Sequence, residues 1–277
     1  MTTAVAAPTV PGAPASTGPM SSLRWLASDT VTLTRRNLLA VTRIPEALFF
    51  STVQPIMFVL LFRYVFGGAI NVGSVGQGHY VNFLIPGILV QTTMFGAIGT
   101  AIGLAEDLQK GLIERFKALP MTRLAVLGGR TVADLARNVF VLLIITGIGF
   151  LVGFRPGGGF IHYVEASLLM LLFAYSFSWA FAYIGLAAPN SETAQAMAFP
   201  IIFPLTFASG VFVPVYYMPG WLQAFANNQP VSHAAQAVRA LMLGGPVGDS
   251  VWLTVVWSVG LLVVLTPIAT ARYRRAA

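Results

Sequence analysis

The 277-residue chain has no cysteine, which excludes disulfides, thiolate metal sites and cysteine nucleophiles together. Charge is scarce as well, since Asp, Glu, Lys and Arg make up only 9% of the residues. Lysine occurs twice, as Lys110 followed by Gly111 and Lys117 followed by Ala118. Neither closes a GxxxxGK[ST] loop, so the chain lacks the phosphate-cradling motif of ATP-binding proteins. The histidines, His79, His162 and His233, are far apart and form no HExxH or comparable ligand spacing. No metal site is expected.

Apolar residues are abundant. They make up 56% of the chain, and the mean hydropathy of +0.77 exceeds what a soluble core can hide from water. The solvent for most of this surface is therefore lipid, and each crossing of a ~30 Å hydrocarbon layer needs ~20 mostly apolar residues. A net charge of +7 would suggest nucleic acid in a soluble protein. Here the cations flank apolar runs, where anionic lipid headgroups are the natural partner, and no nucleic acid is expected.

The segmentation follows from these runs. Residues 1–20 carry no charged side chain and read as a disordered cytoplasmic tail. From Ser21 to Ile44 a helical projection puts Leu23, Leu26, Ala27, Val31, Leu33, Leu38, Val41 and Ile44 on one face, with Arg24, Arg35, Arg36 and Arg43 opposite. That is the pattern of an in-plane interfacial helix, which either anchors the first span or also docks a partner. Residues 45–277 then form a transmembrane domain of six spans: about 45–66, 80–105, 132–154, 162–188, one starting near Thr193, and 251–270. Twelve of the Lys and Arg residues fall on one side of this threading, against Arg155 and Arg239 on the other. Both termini are thus expected on the cytoplasmic side of the cytoplasmic (inner) membrane. The fold class is an all-α integral membrane protein.

Ion-driven transport usually requires a titrating group within the bilayer, and the centres of these spans hold none. Asp134 and Arg137, spaced i, i+3, read as a salt bridge at the cytoplasmic edge. With no nucleotide motif and no proton path, the energy has to come from another subunit. The loop 106–123, EDLQKGLIERFKALPMTR, is the best place for it to dock. Phe116 and Leu119 would fill a cleft while Glu114, Arg115 and Lys117 set orientation. The alternative is an amphipathic loop resting on headgroups. In the outer re-entrant segment 214–246, Pro230 starts and Gly244 stops a helix that buries Val231, Val238, Leu241 and Met242 and turns His233, Gln236 and Arg239 to a polar opening. It serves as a bundle cap or a substrate gate. Phe199, Phe203 and Phe207 repeat every four residues beside Pro200 and Pro204 and offer either an aromatic lining for an amphipathic molecule or an ordinary packing stripe. Gly96, Gly99, Thr100 and Gly103, and Gly149 with Gly153, allow close helix contact, within one subunit more often than between two.

Two separated stretches carry a family resemblance. FLIPGILVQTTMFGAIGTAIGLAEDLQKGLIERFKALPMTR (83–123) resembles the second span and following loop of ATP-binding-cassette type-two permeases, in particular the daunorubicin-resistance branch. NQPVSHAAQAVRALMLGGP (228–246) resembles that branch's second signature. The resemblance implies that Gly111, Glu114, Arg115, Phe116 and Pro120 belong to a cytoplasmic coupling helix, that residues 21–44 are a connecting helix, and that an outer helical hairpin lies between spans five and six. It further implies an exporter of hydrophobic or amphipathic drugs or lipids. ATP and Mg would be bound by a separate cytoplasmic ATPase and no cofactor by this chain. The partners would be that ATPase, membrane lipid and a second permease copy or homologue. Phe199, Phe203, Phe207, His233 and Arg239 would then lie on the substrate path. The alternatives are an ion-coupled carrier and a membrane enzyme using His79, His162, Glu165 or His233 for acid–base work at the outer face.

Overall fold

The computed structural model describes residues 19–42, 45–68, 80–112 and 123–275. Among them every regular element is helical: α1 (Pro19–Thr42), α2 (Pro45–Leu61), α3 (Tyr80–Gln109), α4 (Arg123–Val152), α5 (Gly159–Ala187), α6 (Ser191–Phe207), α7 (Gly220–Asn228), α8 (Pro230–Leu243) and α9 (Ser250–Arg275). A π-helical turn, Phe62–Phe66, extends α2. Residues 1–18 of the expected tail lie outside the described residues.

Among the described residues four helices are long and apolar enough to cross a membrane: α3, α4 from Val126, α5 and α9 up to Arg274. The apolar stretch Thr52–Phe66 is shorter, and α6 has 17 residues, about 26 Å at 1.5 Å per residue. The long spans differ in surroundings. α3 is the central post, packed against α4, α5, α6 and α8 and buried along most of its length, whereas α9 touches mainly α5 and α8 and leaves its outer face bare. A helix that is apolar all round belongs in protein or in lipid, and these two show one case each.

Local chemistry sets several boundaries. Asn190 caps α6 by accepting from the Thr193 N–H at 2.7 Å. Pro230 occupies the first turn of α8 and Gly244, at φ 73°, ends it in the left-handed conformation. α4 begins at Arg123, earlier than the expected third span, because Leu127 and Gly129 in that extra stretch pack inward. α3 likewise runs past Ala105 and carries Glu106 and Asp107 on helix.

α1 packs along α4. Leu33 is buried against Gly129 of α4, where a Cβ at Gly129 would lie 2.6 Å from Leu33 Cβ. Val31, assigned to the same face by projection, is 67% exposed. Thr34 Oγ1 reaches the Gly129 carbonyl at 3.3 Å. The contact with α4 is a narrow stripe that leaves Val31 outside it.

Candidate functional site

At the end of α3 nearest the 106–123 loop, three helices share a network of charge. Asp107 lies 3.6 Å from Arg36 of α1 and 3.7 Å from Arg130 of α4. Lys110 pairs with Glu106 at 3.0 Å, and Asp134 with Arg137 at 3.5 Å as the i, i+3 spacing predicts. These groups line a cleft of about 340 Å³. Beyond it α3 stops in a turn at Gly111, whose φ of 63° suits glycine, with its N–H donating to the Leu108 carbonyl at 3.1 Å. Glu114, Arg115, Phe116 and Pro120 lie outside the described residues.

The glycine stripe of α3 has an unexpected guest. Arg137 Nη2 donates to the Gly96 carbonyl at 2.8 Å, and Arg130 Nη2 to the Gly99 carbonyl at 3.2 Å. A Cβ on Gly96 or Gly103 would overlap the Arg137 or Arg130 guanidinium, whereas one on Gly99 meets open space. Gly96 and Gly103 are notches for arginine side chains of the same chain. Gly149 instead packs on Ile85, and Gly153, at φ 103°, follows the last turn of α4.

Beside α3 an aromatic ladder runs from α6 to α2. Ring centroids are 4.4 Å apart for Phe203–Phe207, 5.3 Å for Phe207–Phe212, 4.5 Å for Phe212–Phe62 and 6.0 Å for Phe62–Phe58. Such pairs contribute about 0.5–1.5 kcal/mol each beyond buried area. Phe199 turns to Phe95 of α3, edge-on at 6.3 Å. Phe199, Phe203 and Phe207 remain exposed, Phe203 by 52%, so the ladder presents a flat apolar face that the described residues leave uncovered. Phe58, Phe62 and Phe212 were not among the sequence candidates. The i, i+4 spacing of Phe58, Phe62 and Phe66 was the available signal for the first two, but Phe212 lies in irregular backbone.

Arg239 corrects the sequence reading. It does not line a polar opening: it is 4% exposed, with its guanidinium carbon 3.5 Å from the centre of the Phe83 ring. Its Nε donates to the Phe83 carbonyl at 3.1 Å, and Nη2 reaches the carbonyls of Gly210 and Val211 at 3.0 and 3.3 Å. Burial pushes its pKa down to about 9, which leaves it protonated at neutral pH. Beside it Tyr80 donates to the Phe212 carbonyl at 2.9 Å, and Gln229 Nε2 reaches the carbonyls of Leu205 and Ala208 at 2.9 and 3.2 Å. Together these side chains satisfy carbonyls around the end of α6 and fix the backbone that aims Phe212 into the ladder. Arg239 is a positioning residue for the aromatic face. His233 and Gln236 are half-buried, and burial lowers the His233 pKa. His162 and Glu165 are exposed on the first turns of α5. No three His, Cys, Asp or Glu side chains converge as metal ligands among the described residues.

The two stretches that carry the resemblance therefore touch, through Arg239 and Phe83. Residues 28–243 match the family described as "ABC-2 type transporter". The chain is 36% identical over 247 residues to a "Daunorubicin resistance ABC transporter permease protein DrrB1" of Streptomyces coeruleorubidus, covering 89% of this chain and 86% of that protein. It is 27% identical over 259 residues to a "Probable doxorubicin resistance ABC transporter permease protein DrrC" of Mycobacterium tuberculosis, covering 94% and 93%. A "Putative transport permease ycf38" of Porphyra purpurea is 25% identical over 209 residues, covering 75% and 71%. With a match spanning most of its length and helices of this kind, the chain belongs to the ABC-2 type transporter family of multi-pass membrane permeases.

Proposed function

We propose that this chain is the membrane-spanning subunit of an ATP-driven exporter that moves an amphipathic or hydrophobic compound outward across the cytoplasmic membrane. ATP and Mg bind to a separate cytoplasmic ATPase, which pushes on the 106–123 loop through Gly111, Glu114, Arg115, Phe116 and Pro120. α2 with its π turn, α3, α4, α5, α6 and α9 make six crossings, both termini are cytoplasmic, and α7 with α8 is the outer hairpin. A second copy or a homologous permease completes the pathway.

The observation that carries this reading is the uncovered aromatic face of α6 and α2, held by a buried brace in a family of permeases. A flat apolar surface of this kind suits an amphipathic cargo, and a facing subunit would close it. The charge network at Asp107 supports the coupling role, because α1, α3 and α4 are joined beside the loop that would receive the stroke. The relatives' names speak of daunorubicin and doxorubicin resistance, which supports export of planar amphipathic molecules.

The test is reconstitution with the partner ATPase. Glu114→Ala and Arg115→Ala are expected to lower substrate-stimulated ATP hydrolysis far more than membrane insertion, and vanadate rather than a protonophore should stop transport. Uphill transport by the chain alone on addition of nucleotide would refute the reading.

A further inference from the structure

We propose that the groove between α1 and α4 holds an anionic glycerophospholipid, with an acyl chain along Val31, Leu38, Leu39 and Val132 and the headgroup phosphate at Arg35. The inference rests on the membrane topology proposed above, which puts this end of α4 in the cytoplasmic leaflet.

α1 meets α4 at Gly129, where a Cβ would lie 2.6 Å from that of Leu33. One turn further along α4, at Val132, the helices part and leave a groove of about 390 Å³. Its walls are these four apolar side chains, two threonines and Arg35, with no acid among them. Val31 is 67% and Leu39 46% exposed, so the apolar side chains of α1 that miss α4 line this groove instead.

Two neighbouring arginines show what the groove lacks. Successive residues of a helix point about 100° apart. Arg36 turns to the charged cleft, 3.6 Å from Asp107. Arg35 turns to the groove, and among the described residues no ion pair involves it. A cation at the rim of an apolar groove matches a phospholipid end for end, guanidinium to phosphate and hydrocarbon to hydrocarbon. The headgroup is anionic because Arg35 has no carboxylate to neutralise it. A choline headgroup brings its own cation to the phosphate and gains less from Arg35.

Depth decides between lipid and protein. Val132 lies six residues into the apolar span that starts at Val126, about 9 Å along the helix at 1.5 Å per residue. A soluble partner does not reach a wall at that depth. An interfacial helix, by contrast, buries its apolar face about 5–10 Å into the boundary of headgroups and chains, where lipid is the neighbour.

The test places the full-length chain in phosphatidylcholine nanodiscs with a trace of photoactivatable phosphatidylglycerol or phosphatidylcholine, each carrying a diazirine in the same acyl chain. Crosslinks are mapped and counted by mass spectrometry of the digested chain. Phosphatidylglycerol is expected to label the peptides holding residues 31–39 and Val132 about five-fold more than phosphatidylcholine does, the effect of one basic contact near the membrane surface. Arg35→Gln should bring that ratio close to one, and Arg35→Lys should keep most of it. Arg272→Gln, which removes an exposed cation from the end of α9, should leave the ratio unchanged. Val31→Asn, at an exposed position, should lower labelling there by both lipids. Equal labelling by the two lipids, no labelling of these peptides, an excess that survives Arg35→Gln, or one that Arg272→Gln removes equally overturns the proposal. So does labelling that vanishes once the partner ATPase is added, which would give the groove to protein. Crosslinking to the chain alone needs no transport, so the two readings fail separately. A mapped site in a chain that exports nothing with its ATPase refutes the exporter and leaves the lipid groove standing.

Discussion

Replacing Arg239 by methionine removes the buried cation of the brace while keeping most of the side chain's length. In the wild type two donor groups, Nε and Nη2, serve the carbonyls of Phe83, Gly210 and Val211, and the guanidinium lies over the Phe83 ring. A hydrogen bond from a charged group contributes about 1.5–3 kcal/mol, and a desolvated cation–π contact about 2 kcal/mol. Together these give roughly 5–8 kcal/mol, against which the relief of no longer burying a charge returns several kcal/mol. The expected net loss is about 3 kcal/mol, or roughly 150-fold in the unfolding constant. Arg239→Lys keeps the charge but not the planar fork, so it should recover only about half of that. Denaturant unfolding in micelles, followed by tryptophan fluorescence, measures both variants. The two should also bind planar aromatic probes more weakly, because the backbone that aims Phe212 is freed. A methionine variant as stable as the wild type, or a lysine variant no better than methionine, would refute the brace.

Other substitutions separate packing from function. Phe212→Ala, at a buried ring, should cost about 3–5 kcal/mol of stability, whereas Phe203→Ala, half exposed, should cost under about 1 kcal/mol yet depress export; a transport assay beside the same unfolding measurement tests the split. Gly103→Ala drives a Cβ into the far end of the Arg130 side chain, which can swing aside at the loss of its contacts with the Gly99 carbonyl and Asp107, so it should forfeit the helix gain of up to about 1 kcal/mol that Gly99→Ala, four residues away in open space, should show. His233 is buried enough to lower its pKa, so the unfolded chain takes up its proton first as pH falls below about 6.5. Amide protection in α8, after correction for the intrinsic slowing of exchange by acid, should therefore fall on acidification through that window in the wild type and not in His233→Gln.

What the sequence revealed and what it hid divide along the range of the interactions. The limits of α8 were readable because Pro230 and Gly244 act on their own backbone. The i, i+3 pair of Asp134 and Arg137 was readable for the same reason. Arg239 was misplaced because a period of three assigns it to a face, whereas the groups that bury it lie 156, 29 and 28 residues away. The spacing of Gly96, Gly99 and Gly103 reports that something approaches α3 closely but is identical for a helix and for a guanidinium. Phe212 had no periodic partner, since its position comes from hydrogen bonds to its backbone and that of its neighbours rather than from a helix register.

The side-chain capping of α6 has a mechanical consequence. Gln229 and Arg239 clasp the carbonyls just before and after the helix end, so α8 cannot swing away without leaving four acceptors bare, those of Gly210 and Val211 buried and those of Leu205 and Ala208 partly so. Pro200 and Pro204, lower in α6, lack the N–H groups that stiffen a helix, so bending there breaks nothing further. The compliant joint thus lies before the clasp in the chain, and the C-terminal part of α6, the Phe212 turn and α8 would travel as one lever in any motion that bends α6.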